Sequence, residues 1–107
     1  MRERRTAPRV KVNLRARWEG AANRLEADVT DLSSSGCFVL SGGTVESKEL
    51  LRLEIYLFPE EPPVYFWAEV VDVAPEIGFA VRFTSMEDED QKRLSDFLAE
   101  ALNRENV

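Results

Sequence analysis

The sequence predicts an all-β domain, a small antiparallel barrel or rolled sheet of six short strands with a C-terminal α-helix packed on it. Three observations lead there. Apolar and polar residues alternate with a period of two through much of residues 10–83. Clusters of Gly, Pro, Asn and Ser interrupt that alternation at short intervals. Beyond residue 85 the apolar spacing switches to the period of a helix.

The elements follow in order. Val10, Val12, Leu14, Ala16 and Trp18 alternate with Lys11, Asn13, Arg15 and Arg17, giving a first strand with one buried and one solvated face. Residues 19–23 read as a turn. Leu25, Ala27 and Val29 alternate with Glu26, Asp28 and Thr30 in a second strand. Residues 31–36 form a loop, dense in side chains that bond their own backbone. Residues 37–40 are a short third strand ended by Ser41-Gly42-Gly43, and Leu51, Leu53, Ile55 and Leu57 mark a fourth. Three prolines place residues 59–63 in a loop, since they cannot feed a central ladder. Residues 64–73 and 77–83 supply the fifth and sixth strands, a hairpin about Ala74-Pro75-Glu76. Leu94, Phe97, Leu98, Ala101 and Leu102 fall on one face of a helix. Ser85 with Asp88 reads as its cap, and the acidic run 87–90 suits the positive end of its dipole.

Length and composition bound the function. The chain has 107 residues, 44% apolar and 32% charged, which suits one soluble globular domain. The expected division is a basic arm, flexible, over residues 1–9, a barrel over 10–83 and a helix over 86–103. There is no His and one Cys, so the commonest general base and a cysteine zinc cluster are both missing. Gly42-Gly43-Thr44 lacks the Lys and spacing of a phosphate-cradling loop. These gaps point to a protein that is not an enzyme and carries no metal or cofactor. No apolar run approaches the roughly 20 residues of a membrane span, and the polar N-terminus is no secretory signal.

Charge is unevenly spread. Residues 1–17 hold seven basic groups and one acid, while the other 90 residues hold seven basic groups and 19 acids, so +6 sits beside −12. The acidic body argues against DNA or RNA as a partner. The arm argues for something small and anionic. Pro8 discourages helix at Ala7, and an extended chain would set Arg5 and Arg9 about 13 Å apart. Guanidinium forks suit phosphates and guanine edges. Asp31-x-Ser33-x-x-Gly36 adds an acceptor, a hydroxyl and a residue that lets backbone approach closely; it also suits a plain turn. Trp18, Tyr56, Tyr65 and Trp67 suit either the core and strand surface or base stacking.

Arg5-x-x-x-Arg9 before the first strand, then Asp31-x-Ser33-x-x-Gly36 after the second, resembles the signature of the PilZ domain family. Ile77-Gly78-Phe79-Ala80-Val81-Arg82-Phe83 and the helix after it look like the family's closing strand and helix. The resemblance spans nearly the whole chain. It implies a six-stranded antiparallel β-barrel that receives the bacterial second messenger cyclic di-GMP. By the same resemblance, Arg5 and Arg9 would hold guanine edges and phosphates, and Asp31 would accept from guanine N–H groups. Ser33 would bond the ligand, and Gly36 would leave room for it. Arg4, directly before the motif, would serve a second, stacked ligand molecule. The expectation is a cytoplasmic receptor whose ligand orders the arm against the barrel and changes the surface offered to a protein effector, in motility or exopolysaccharide control. A homodimer would form through a strand edge or the helix. The competing readings are an adaptor on the same barrel that has lost the ligand, and a nucleic-acid-binding small barrel.

Overall fold

The computed structural model describes residues 8–105. The element order is β1 (Val10–Glu19), β2 (Arg24–Leu32), β3 (Gly36–Leu40), β4 (Leu50–Ile55), β5 (Val64–Ala74), β6 (Gly78–Ser85) and α1 (Asp88–Glu105). The strands close into a barrel in the order β1-β2-β3-β6-β5-β4, every neighbouring pair antiparallel. The closing seam joins β1 to β4 from Ala16↔Ile55 to Glu19↔Arg52.

Alternation does what the sequence implies. Trp18, Val29, Val39, Leu51, Leu53, Ile55, Val64, Phe66, Ala68 and Val70 all point into the lumen and are almost wholly buried. Trp18 meets Phe79 edge-on at 5.2 Å between ring centroids, and its indole N–H donates to Ser41 Oγ at 2.9 Å. A buried indole needs such a partner.

Antiparallel order puts the start of β1, the end of β2, the start of β3, the end of β6 and the start of β5 at one end of the barrel. The helix covers part of that end. Leu94 and Leu98 are buried in the core, and Phe97 packs edge-on against Phe58 of the proline loop at 5.5 Å. Asp90 Oδ2 accepts the Tyr65 N–H at 3.1 Å, and the Arg93 guanidinium reaches the Pro62 and Pro63 carbonyls and Glu61.

Several boundaries differ from the sequence reading. Ser85 ends β6, paired with Trp67, and so does not cap the helix. The first helical bond runs from the Gln91 N–H to the Glu87 carbonyl at 2.9 Å, and the helix therefore starts at Asp88 rather than residue 86. Leu57, the last apolar residue of the fourth alternation, is buried although β4 ends at Ile55.

Candidate functional site

Three segments meet at the helix-bearing end of the barrel. Pro8 and Arg9, both exposed, lead into β1. Val10 pairs with Leu32, and Lys11 with Asp31. Asp31 pairs on its other side with Phe38. Val10 and Leu32 are buried, so the alternating positions Lys11 and Asp31 face outward. Arg9 thus directly precedes the ladder, two residues before Lys11, the partner of Asp31, and the charged termini of the two sequence motifs lie at one end of the barrel. Arg4 and Arg5 lie outside the described residues.

A bulge sets this patch. Val29 pairs with Val39 and Asp31 with Phe38, so Thr30 is the extra residue on β2. The bulge resets the alternation and lets Asp31 face outward while Leu32 returns to the core.

The turn from β2 to β3 is built around Ser33. Its N–H donates to the Gly36 carbonyl at 2.9 Å. Its hydroxyl oxygen accepts the Ser35 N–H at 3.1 Å and the Gly36 N–H at 3.2 Å. Ser33 is only 4% exposed, the one buried polar residue among those described. The hydroxyl therefore holds the loop shut beneath the patch, a positioning role that the motif spacing alone does not reveal.

Gly36 answers a close approach of backbones. A Cβ there would sit 2.2 Å from the Val81 carbonyl oxygen, across the β3–β6 ladder in which Gly36 pairs with Arg82. Gly78 does the same at the far end of that ladder, where a Cβ would meet the Val39 carbonyl oxygen at 2.0 Å. Only a residue without a side chain fits either place.

Charge around the patch is mixed. Beneath it lies Cys37, whose thiol is pushed well above its ordinary range, chiefly by burial; the positive charge of Arg9 works against that shift and the negative charge of Asp31 adds to it. Both groups act on the same buried sulfur, so they share one neighbourhood, and the thiol stays protonated and inert. Arg82 ion-pairs with Glu69 on β5.

Sequence reasoning passed over three side chains here. Lys11 and Phe38 flank Asp31 in the ladders, and Arg82 sits opposite the bare surface of Gly36. Phe38 is half-buried yet is not packed against the core, which places its ring on the outer face. The parity of the third strand could have found it, since Cys37 and Val39 point inward. The aromatics divide: Trp18 is core, whereas Tyr65 and Trp67 are exposed. Two cavities of about 480 Å³ are lined by other residues, one beside Trp67 and one between the 21–23 and 44–49 loops. The candidate site is thus an open surface, and its case rests on register, charge and backbone spacing. Among the described residues no three His, Cys, Asp or Glu side chains converge to hold a metal ion, and no helix is long and apolar enough to cross a membrane.

A closed six-stranded antiparallel barrel with one C-terminal helix defines a class of small β-barrel domain. The chain belongs to the PilZ domain family, whose model matches residues 3–100. No curated protein matches it. Among solved structures, the inhibitor of motility MotI/DgrA from Bacillus subtilis is 22% identical, covering 94% of this chain and 53% of its own, with a TM-score of 0.78. YcgR from Escherichia coli, solved with c-di-GMP, is 17% identical, covering 97% and 48%, with a TM-score of 0.77. The PilZ domain of that YcgR with c-di-GMP, at 14% identity, covers 95% and 94% with a TM-score of 0.75. The chain spans about half the length of the MotI/DgrA and YcgR chains.

Proposed function

We propose that this chain is a cyclic di-GMP receptor that binds without turnover. One observation carries the reading: the fold brings Arg9, Asp31 and the Ser33–Gly36 turn to one outward patch, with Phe38 beside Asp31. A guanidinium and a carboxylate next to an aromatic ring match the demands of a guanine dinucleotide. The cation meets phosphate or the N7/O6 edge, the carboxylate accepts base N–H groups, and the ring gives a stacking face. Ser33 contributes by holding the loop, and Gly36 by leaving the patch flat. Arg5 supplies the second fork, and Arg4 serves a second ligand molecule. YcgR, which shares the fold, was solved with this dinucleotide.

The ligand acts by drawing the basic arm onto the barrel and so changes the surface that a protein effector meets in the cytoplasm. Isothermal titration tests the binding. Wild type is expected to bind cyclic di-GMP but not GMP, with Arg9→Ala and Asp31→Ala each weaker by about tenfold or more, as lost charged hydrogen bonds imply. No heat at ligand concentrations of about tens of micromolar would sink the reading.

A further inference from the structure

The geometry points to a second docking site, at the same end of the barrel as the Asp31 patch but lined by different residues: a notch between β5 and the start of α1 that takes a basic segment of a partner protein. β6 ends at Ser85, opposite Trp67. Past that point, among the described residues, Tyr65 has no strand neighbour on that side, and its N–H goes to Asp90 of the helix instead. The step from sheet to helix leaves a cavity of about 480 Å³, with Tyr65 and Trp67 as floor, Arg52 on one wall, and Ser85, Glu87 and Asp90 on the other.

Three features fix the occupant's chemistry. Trp67 is 49% exposed and Tyr65 46%, a large aromatic area that the barrel's own packing does not use. The Arg52 guanidinium lies 5.9 Å from the Trp67 ring centroid, which shows that this indole accepts a cation on its face. The opposite wall carries the Glu87 and Asp90 carboxylates, and the body beyond residue 17 has a balance of −12, which draws basic partners from a distance. An arginine or lysine entering the notch stacks on the free aromatic surface and meets Glu87. An acidic segment meets two carboxylates instead. A second copy related by a two-fold axis sets the same acidic wall against itself.

Fluorescence anisotropy of a dye-labelled, capped tetra-arginine peptide, titrated with the full chain at low salt, tests the site. Trp67→Ala and Tyr65→Ala are each expected to weaken binding by about tenfold, and Arg52→Ala to tighten it by about threefold by removing a competing cation. Glu76→Gln, at the β5–β6 turn on the far end of the barrel, is expected to change nothing, and capped tetra-glutamate is expected not to bind. Both aromatics face solvent, so either variant should keep the wild-type melting temperature; if one does not, the other decides. The proposal fails if tetra-arginine shows no binding up to about 1 mM, or if the surviving aromatic variant binds like wild type. It also fails if Glu76→Gln weakens binding as much as Trp67→Ala, since that marks diffuse attraction. Tetra-glutamate binding through Arg52, or a dimer in sedimentation that Trp67→Ala abolishes, would assign the notch to another occupant and overturn it.

Discussion

At the scale of single residues, the signature glycine has two demands on it. Gly36 is the position where a ligand would need a flat surface, and it is also where β3 runs too close to Val81 for any side chain. The second demand is visible in stability alone. Gly36→Ala is expected to cost about 2 kcal/mol or more, since a methyl 2.2 Å from a backbone carbonyl forces the ladder apart. Gly42→Ala is the control: a Cβ there meets nothing within 4 Å and φ is not positive, so that variant should be neutral or stabilised by up to about 1 kcal/mol. Urea unfolding of both variants checks this; equal midpoints would show that the β3–β6 spacing relaxes freely. Ser33 teaches the same lesson. Its spacing in the motif and its bonding to the local backbone were legible, but its burial was not, because that depends on strands distant in sequence.

At the scale of elements, the strands were readable wherever one face meets the core and the other meets water. β1 alternates cleanly enough that the inward parity of Trp18 follows from its neighbours, whereas residues 64–68 of β5 are all apolar and the outward parity of Trp67 is set by the ladder. The bulge at Thr30, the β1–β4 seam and the two glycine crossings were not readable, since each depends on a strand distant in sequence. The start of α1 was misread for a related reason. Ser85 has the chemistry of a cap, but pairing with Trp67 keeps it in the sheet. What anchors the helix instead is its contact with the proline loop. Arg93, with its side chain 22% exposed, bridges Asp90, Glu61 and two proline carbonyls. Arg93→Ala strands those partners and is expected to cost about 2 kcal/mol. Lys92→Ala, which removes an exposed i,i+4 pair with Asp96, should cost no more than about 0.5 kcal/mol. Thermal melts at two salt concentrations separate them: salt should erase the Lys92 effect and leave most of the Arg93 effect. Equal losses for both would mean that the loop contact contributes nothing beyond a surface pair.

At the scale of the whole molecule, the structure sharpens the charge split. Arg15 and Arg17 both lie against Glu26 on β2, at 3.4 and 3.7 Å, so part of the positive charge of residues 1–17 is balanced within the sheet. Of the other basic residues there, Arg9 and Lys11 lie at the barrel end that carries Asp31 and the Ser33 turn. An acidic body with a local positive end treats anions by size. A compact dianion reaches the positive end and lies there within about one Debye length of it, whereas a long polyanion must also run along the acidic wall. Reversing Glu46, Asp72 and Glu76 to Lys, all exposed and toward the opposite end of the barrel, takes the formal charge from −6 to zero. The triple variant is expected to gain at least about tenfold in affinity for a single-stranded RNA of about 20 nucleotides at low salt, with a steeper salt dependence. Its affinity for cyclic di-GMP should move by less than about threefold, since the three sites are screened from the patch. Filter binding and calorimetry on the same preparations give both numbers. A ratio of the two affinities that stays at its wild-type value would show that the acidic body plays no part in selecting the ligand.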